Sequence, residues 1–255
     1  MPLIESESLI LKTYNLAEAD RIVVFLTREH GVVRGVAKGA KRLKSRFGST
    51  LELFSSVNLT YFQKEDRELV SIQNAELDRS FFAEAVDPEF LSTFSYVADL
   101  LLQFVPPADP NETLYRMLKA CLSAASEDSD SLPALRLYFE LWLLRLGGYL
   151  PIWDRCENCK TPFATKDMTY LRSDFHLHCP ACRKAGGSIE VEPEYRDLFT
   201  QVQKLAPGAF VEYVNGREEA TEAVSGILRR VISQVLCREV SGQRSVERMV
   251  RKNAV

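Results

Sequence analysis

Residues 21–62 read RIVVFLTREHGVVRGVAKGAKRLKSRFGSTLELFSSVNLTYF, and this stretch decides the fold. Arg21–Thr27, Val32–Ala37 and Thr50–Phe62 are runs rich in Val, Leu, Phe and Tyr, separated by His30-Gly31 and by the glycine-punctuated segment Gly35–Gly48. Working outward, Leu9–Leu11 precedes them behind a turn at Asn15, and Leu69–Ile72 follows a turn at Glu65-Asp66. Five short strands in about 75 residues predict a small antiparallel barrel of the OB type, an architecture that binds oligonucleotides on one face and in its loops. An SH3-like barrel fits the same strand count.

From Asp78 onward the pattern becomes helical. Asp87-Pro88 and Asp109-Pro110 each place a carboxylate before a proline at a first helical position, with Glu112 three residues after the second cap. Helices are expected over Glu89–Phe104 and Glu112–Ala125, and over Leu132–Leu146, which ends at Gly147-Gly148. Two more are expected over Pro193–Lys204 and Arg217–Val240. The reading is an α+β chain: a five-stranded OB-type barrel as a DNA-binding domain over 1–77, then a helical domain over 78–255 carrying a four-cysteine zinc module inserted at 153–187.

Four of the six cysteines form Cys156-x-x-Cys159 and Cys179-x-x-Cys182, nineteen residues apart. Two such pairs are the spacing of a zinc ribbon or knuckle, each pair turning tightly to present two thiolates to one tetrahedral ion. A hairpin is expected between them, with Tyr170–Arg172 and Phe175–Leu177 as strands around Ser173-Asp174. Four thiolates close the coordination sphere and leave no position for an activated water, so the expected Zn2+ is structural and catalysis is not expected. A thioredoxin-like redox pair is the competing reading, and His176 or His178 replacing a thiolate is another. Cys121 and Cys237 fall at apolar helix positions and read as small core residues.

The net charge of −3 is unevenly spread. Between Glu29 and Glu52 stand Arg34, Lys38, Lys41, Arg42, Lys44 and Arg46 without an acid, so that window carries +6 and the rest of the chain −9. A glycine-bearing cationic loop joining two strands is expected to be flexible, to project from the barrel and to meet phosphate. Phe47, Tyr61 and Phe62 lie near these charges and are candidates for base stacking or for core packing; Tyr61 and Phe62, adjacent in one strand, face opposite ways. A second basic stretch, Arg229, Arg230, Arg238, Arg244, Arg248, Arg251 and Lys252, would extend a DNA path, grip an acidic peptide or simply be solvated.

Several function classes are excluded by what the sequence lacks. It has no phosphate-binding G-x-x-x-x-G-K-[ST] loop, no dinucleotide fingerprint, no H-E-x-x-H and no nucleophile elbow. No run approaches the length of a membrane span and the N-terminus has no secretory pattern, so a cytoplasmic location is expected. Non-enzymatic DNA handling is the leading reading. A zinc-containing protein–protein scaffold with incidental DNA contact, and a zinc-dependent nucleic-acid enzyme, are the alternatives.

The stretches 7–55 (ESLILKTYNLAEADRIVVFLTREHGVVRGVAKGAKRLKSRFGSTLELFS), 135–159 (LRLYFELWLLRLGGYLPIWDRCENC) and 178–182 (HCPAC) resemble, in order and spacing, the bacterial recombination mediator family RecO. The resemblance implies an OB-fold, a central helical domain and a zinc module, together with binding of single- and double-stranded DNA, annealing of complementary strands and help in loading recombinase. It implies RecR and the acidic C-terminal tail of single-strand-binding protein as partners, the latter docking on the helical domain. Carried across by position, it places the family's basic loop on Lys38, Lys41, Arg42, Lys44 and Arg46, and its zinc ligands on Cys156, Cys159, Cys179 and Cys182.

Overall fold

The computed structural model describes residues 3–63, 68–126, 128–150, 152–183 and 186–236. The expected turn at Glu65-Asp66, Cys237 and the basic residues from Arg238 onward lie outside the described residues. The chain forms two compact units, one spanning residues 1–132 and the other 133–239.

In the first unit β1 (Leu3–Leu16), β2 (Asp20–Thr27), β3 (Gly31–Ala37), β4 (Ser56–Phe62) and β5 (Val70–Arg79) close a barrel in the order β1-β2-β3-β5-β4. β1 is long enough to pair with β4 through Leu3–Leu9 and with β2 through Ser8–Leu16, and an irregularity between Ile10 and Lys12 lets it bend from one to the other. β3 runs parallel to β5 while every other pair is antiparallel. That order is the OB arrangement, and it removes the SH3-like alternative. The interior holds Ile10, Val23, Phe25, Leu59, Tyr61, Val70 and Ile72, with Phe25 and Tyr61 edge to face at 5.6 Å.

One strand expectation fails. Thr50–Ser55 alternates apolar and polar residues as a strand does, but it forms turns, and β4 begins only at Ser56. Phe54 takes a left-handed φ of 65°, which breaks any ladder there. Its ring leaves the barrel wall and packs on Phe90 and Phe94 of helix α1 (Pro88–Phe104), at 6.2 and 5.8 Å.

Helix α1 starts as expected, with the Asp87 carboxylate accepting from Glu89 N at 3.0 Å ahead of Pro88. Helix α2 (Glu112–Ala125) starts differently: the cap is Asn111, whose side-chain oxygen accepts from Leu114 N at 3.0 Å, and Asp109 is not the cap. Glu112 is released to pair with Arg28 at 2.8 Å. The α1–α2 connection runs against the barrel, where Ala108 N donates to Val32 O and Gly31, at φ 68°, leaves no room for a side chain: a Cβ there would sit 2.1 Å from Asp109 O.

In the second unit α3 (Leu132–Leu146) ends where the glycine pair requires, with Gly148 at φ 73° and Tyr149 N donating to Leu144 O. Strands β6 (Thr169–Leu171), β7 (Leu177–His178) and β8 (Ile189–Val191) form a small sheet in the order β7-β6-β8. The second hairpin strand therefore lies at Leu177–His178 and not at Phe175–Leu177, because Phe175 takes φ 63° and completes the turn. Helices α4 (Pro193–Gln201), α5 (Pro207–Val214) and α6 (Glu218–Leu236) follow. From α3, Trp142 Nε1 and Tyr138 Oη donate to the carbonyls of Val202 and Leu205, fixing the chain after α4.

Candidate functional site

The cationic segment is the β3–β4 connection, residues 38–55. Instead of projecting flexibly, it is folded onto the barrel. Successive turns run through it: Arg42 N donates to Gly39 O, Ser45 N to Arg42 O, Gly48 N to Ser45 O and Thr50 N to Phe47 O. Phe47 and Leu51 enter the barrel core, both 1% exposed, so the segment plugs one opening of the barrel. Gly39 N donates to the Asp20 carboxylate at 2.8 Å and Lys41 N to Ala19 O at 2.9 Å, tying the loop to the β1–β2 turn.

Its charges lie outside. Lys38, Lys41, Arg42, Lys44 and Arg46 are exposed, as is Arg34 on β3. Among the described residues none of these six forms an ion pair with a carboxylate; Glu52, the first acid after them along the chain, is 3.5 Å from Arg21. Arg46 donates to Ile72 O at 3.3 Å and lies over the Phe47 ring at 4.9 Å. A run of cations without carboxylate partners among the described residues, held on a fixed scaffold, makes the local potential positive and attracts anions.

Of the aromatic candidates, Phe47 and Tyr61 are core residues and unavailable to bases. Burial pushes the Tyr61 phenol up to about 12, as befits a hydroxyl shut away from water. Phe62 faces the other way and is half-buried.

The two cysteine pairs meet. The Sγ atoms of Cys156, Cys159, Cys179 and Cys182 all lie within 4.8 Å of one another. An ion held tetrahedrally at about 2.3 Å from each sulfur sets the sulfurs about 3.8 Å apart, and Cys159 Sγ to Cys179 Sγ is 3.8 Å. The donor set therefore fits a metal ion. Backbone turns build each half: Lys160 N donates to Cys156 O and Cys182 N to Cys179 O. Across the halves, Cys179 N donates to Cys156 Sγ and Asn158 Nδ2 to Cys182 Sγ, each at 3.4 Å. These are the hydrogen bonds a thiolate accepts around a metal centre.

Hydrogen bonds from Thr161 hold the Cys159 thiol down to about 6. Withdrawal from water pushes Cys156 up, but N–H donors from Cys159, Cys179 and Asn158 outweigh it and its net shift is downward. Withdrawal from water pushes Cys179 up to about 11. His176 is exposed with Nδ1 3.4 Å from Asp174, and His178 is buried; neither belongs to the sulfur cluster. Cys121 is a free, buried thiol within α2, as a core residue would be.

One anchoring residue carries no sequence signal. Arg196 of α4 is 8% exposed, and its Nη2 donates to Ala164 O at 2.9 Å and Asp167 O at 2.7 Å. It grips the loop between the first cysteine pair and β6, while Trp153 stacks on Phe199 at 3.5 Å. Of the C-terminal basic stretch only Arg229, half-buried, and Arg230, exposed, are described, both on α6. Among the described residues no helix is long and apolar enough to cross a membrane.

Comparison with known proteins agrees with this architecture. Residues 1–81 match the family model "Recombination protein O N terminal" and residues 86–241 the model "Recombination protein O C terminal". Among curated proteins, the chain is 33% identical over 155 residues to the DNA repair protein RecO of Koribacter versatilis, covering 61% of this chain and 63% of that one. It is 28% identical to the DNA repair protein RecO of Syntrophus aciditrophicus, over 88% of this chain and 82% of the relative. It is likewise 28% identical to that of Anaeromyxobacter sp. strain K, over 92% and 94%. With both halves of the chain matched in order, it belongs to the recombination protein O (RecO) family.

Proposed function

We propose that the chain is a non-enzymatic mediator of recombination in DNA repair, which binds single- and double-stranded DNA, anneals complementary strands and helps load recombinase onto strands coated by single-strand-binding protein. The observation that carries this reading is the run Lys38–Arg46 on the barrel plug, exposed and free of carboxylate partners among the described residues. Two strands repel through their phosphates. A surface presenting Arg34, Lys38, Lys41, Arg42, Lys44 and Arg46 lowers that repulsion, and base pairing supplies the driving force with no bond made or broken in the protein. The OB order of the barrel supports the same reading, since this architecture recurs as an oligonucleotide binder.

In this account 1–77 is the DNA-binding domain and 78–255 the helical domain with its insertion at 153–187. The helical domain docks the acidic tail of single-strand-binding protein, and RecR joins the complex. The ion is Zn2+, held by Cys156, Cys159, Cys179 and Cys182; when bound it supplies cross-linking and no reactive water, because four thiolates fill its sphere. The protein works in the cytoplasm, at the nucleoid.

Equilibrium binding to a single-stranded oligonucleotide across a salt series tests the reading. Four phosphate contacts at about 0.7 counterions each give a log–log slope near −3 for the wild type. The Lys41→Ala/Arg42→Ala/Lys44→Ala/Arg46→Ala variant, still folded, is expected to lose most of that slope. Equal slopes would remove the loop from the DNA surface.

A further inference from the structure

The outer wall of the barrel carries a row of side chains that the loop reading does not use. Strand register aligns Tyr14 with Ile22, Ile22 with Val36 and Val36 with Ser71 across β1, β2, β3 and β5. Directly opposed residues project from the same side of a sheet. The alternate residues Val23, Ala37 and Ile72 fill the interior, so this row faces outward.

The neighbouring outward row, Lys12, Val24 and Arg34, is partly covered, with Val24 2% exposed and Lys12 paired to Asp99 of α1. Beyond that cover Tyr14 is 51% exposed, and Ile22 and Val36 are half-buried beside it. Cations flank the row. Arg34 stands two residues before Val36 on the same face of β3, and Lys38, first residue of the cationic loop, follows two residues after it. The ties from Gly39 to Asp20 and from Lys41 to Ala19 hold the loop against the same end of the β1–β2 hairpin that carries Tyr14.

We propose that Tyr14, whose outward row continues through Ile22 to Val36, is a base-stacking platform for a single strand of nucleic acid whose phosphates rest on Arg34 and the loop cations. This rests on the DNA-binding reading and adds a selectivity to it. An aromatic ring stacks on any unpaired base, whereas a duplex keeps its bases stacked inside and offers the same surface only its phosphates.

The test compares Tyr14→Ala, Tyr14→Phe and Tyr14→Trp for binding to oligo(dT) and to a duplex of equal length across a salt series, with the four-residue loop variant alongside. Tyr14→Ala is expected to weaken oligo(dT) binding by about 5- to 150-fold, the range for loss of one stacked base. Its salt slope and duplex affinity stay unchanged, because no phosphate contact is removed, and the Phe and Trp variants bind as the wild type does. Ultraviolet irradiation of a 5-iodouracil oligonucleotide complex is expected to cross-link Tyr14. Wild-type binding by Tyr14→Ala, equal loss in Tyr14→Phe, or equal loss of duplex binding would each overturn the platform. If the loop variant alone loses binding, the platform falls while the DNA-binding reading stands; if the loop variant also binds normally, both the platform and the loop leave the DNA surface; and if the wild type binds neither oligo(dT) nor duplex, the DNA-binding reading itself falls.

Discussion

Arg46 and Phe47 are neighbours in sequence with opposite fates: the Phe47 ring is 1% exposed in the barrel core, and the Arg46 guanidinium lies 4.9 Å from that ring on the outside, donating to Ile72 O. The apolar residue fixes the segment and the basic one is displayed by it. Phe47→Ala is therefore expected to cost about 3 to 5 kcal/mol of stability through the cavity it leaves. It should also weaken DNA binding at temperatures where the fold persists, because the cations lose their common support. Denaturant midpoints and oligonucleotide affinity, measured on the same preparation, check both effects.

Gly31→Ala is expected to destabilise the first unit by more than about 1 kcal/mol, since it combines a left-handed φ of 68° with a Cβ placed 2.1 Å from Asp109 O. Gly48→Ala shares the positive φ but meets nothing within 4 Å. It should cost less. The difference in urea midpoint between the two variants separates steric approach from backbone strain.

Removal of the ion is expected to unfold the cysteine module. Such sites contribute on the order of 10 kcal/mol to folding, and the sheet β7-β6-β8 has few residues of its own to bury. Chelation should release one metal equivalent per chain and alter the fluorescence of Trp153, which stacks on Phe199 at 3.5 Å. Cys179→Ser should do the same without chelator. An unchanged spectrum after complete metal release would contradict a folding role.

Arg196→Met should loosen the same module from the other side. The carbonyls of Ala164 and Asp167, on exposed residues, exchange their donor for water, at about 0.5 to 1.5 kcal/mol net for each bond lost. Hydrogen exchange at residues 163–167 reads this directly.

Acid should weaken the contact between barrel and α2. Hydrogen bonds from Ser56 and Lys119 hold the Asp78 carboxyl below its ordinary value of 3.8. A depressed carboxyl contributes stability that is fully present above its unfolded value and is lost as pH falls through the folded one. Asp78→Asn should flatten the acid limb of the stability profile in that window and leave it unchanged at neutral pH in shape.

How much of this was legible in the sequence varies with the kind of signal. The start of α1 follows from Asp87-Pro88, and the end of α3 from Gly147-Gly148, because caps are local chemistry. The cysteine cluster was legible because two tight turns with fixed spacing leave the sulfurs little choice. The β3–β4 plug was misread because alternation in Thr50–Ser55 does not reveal that Phe47 and Leu51 close the barrel from outside the ladder. Helix α5 was hidden by its Pro207-Gly208 start, which reads as a loop. Tyr14 has no signal in its own run, because the outward row it shares with Ile22 and Val36 is set by the register of β1 on β2 and of β2 on β3, which no single run discloses.

The central claim is that this barrel surface brings DNA strands together. The most direct measurement is annealing of two complementary oligonucleotides, bare and coated with single-strand-binding protein, by the wild type and by the Lys41→Ala/Arg42→Ala/Lys44→Ala/Arg46→Ala variant. The account predicts nucleotide-independent annealing by the wild type that falls with rising salt and is lost in the folded variant. Equal annealing by the two proteins, or none by either, would contradict it.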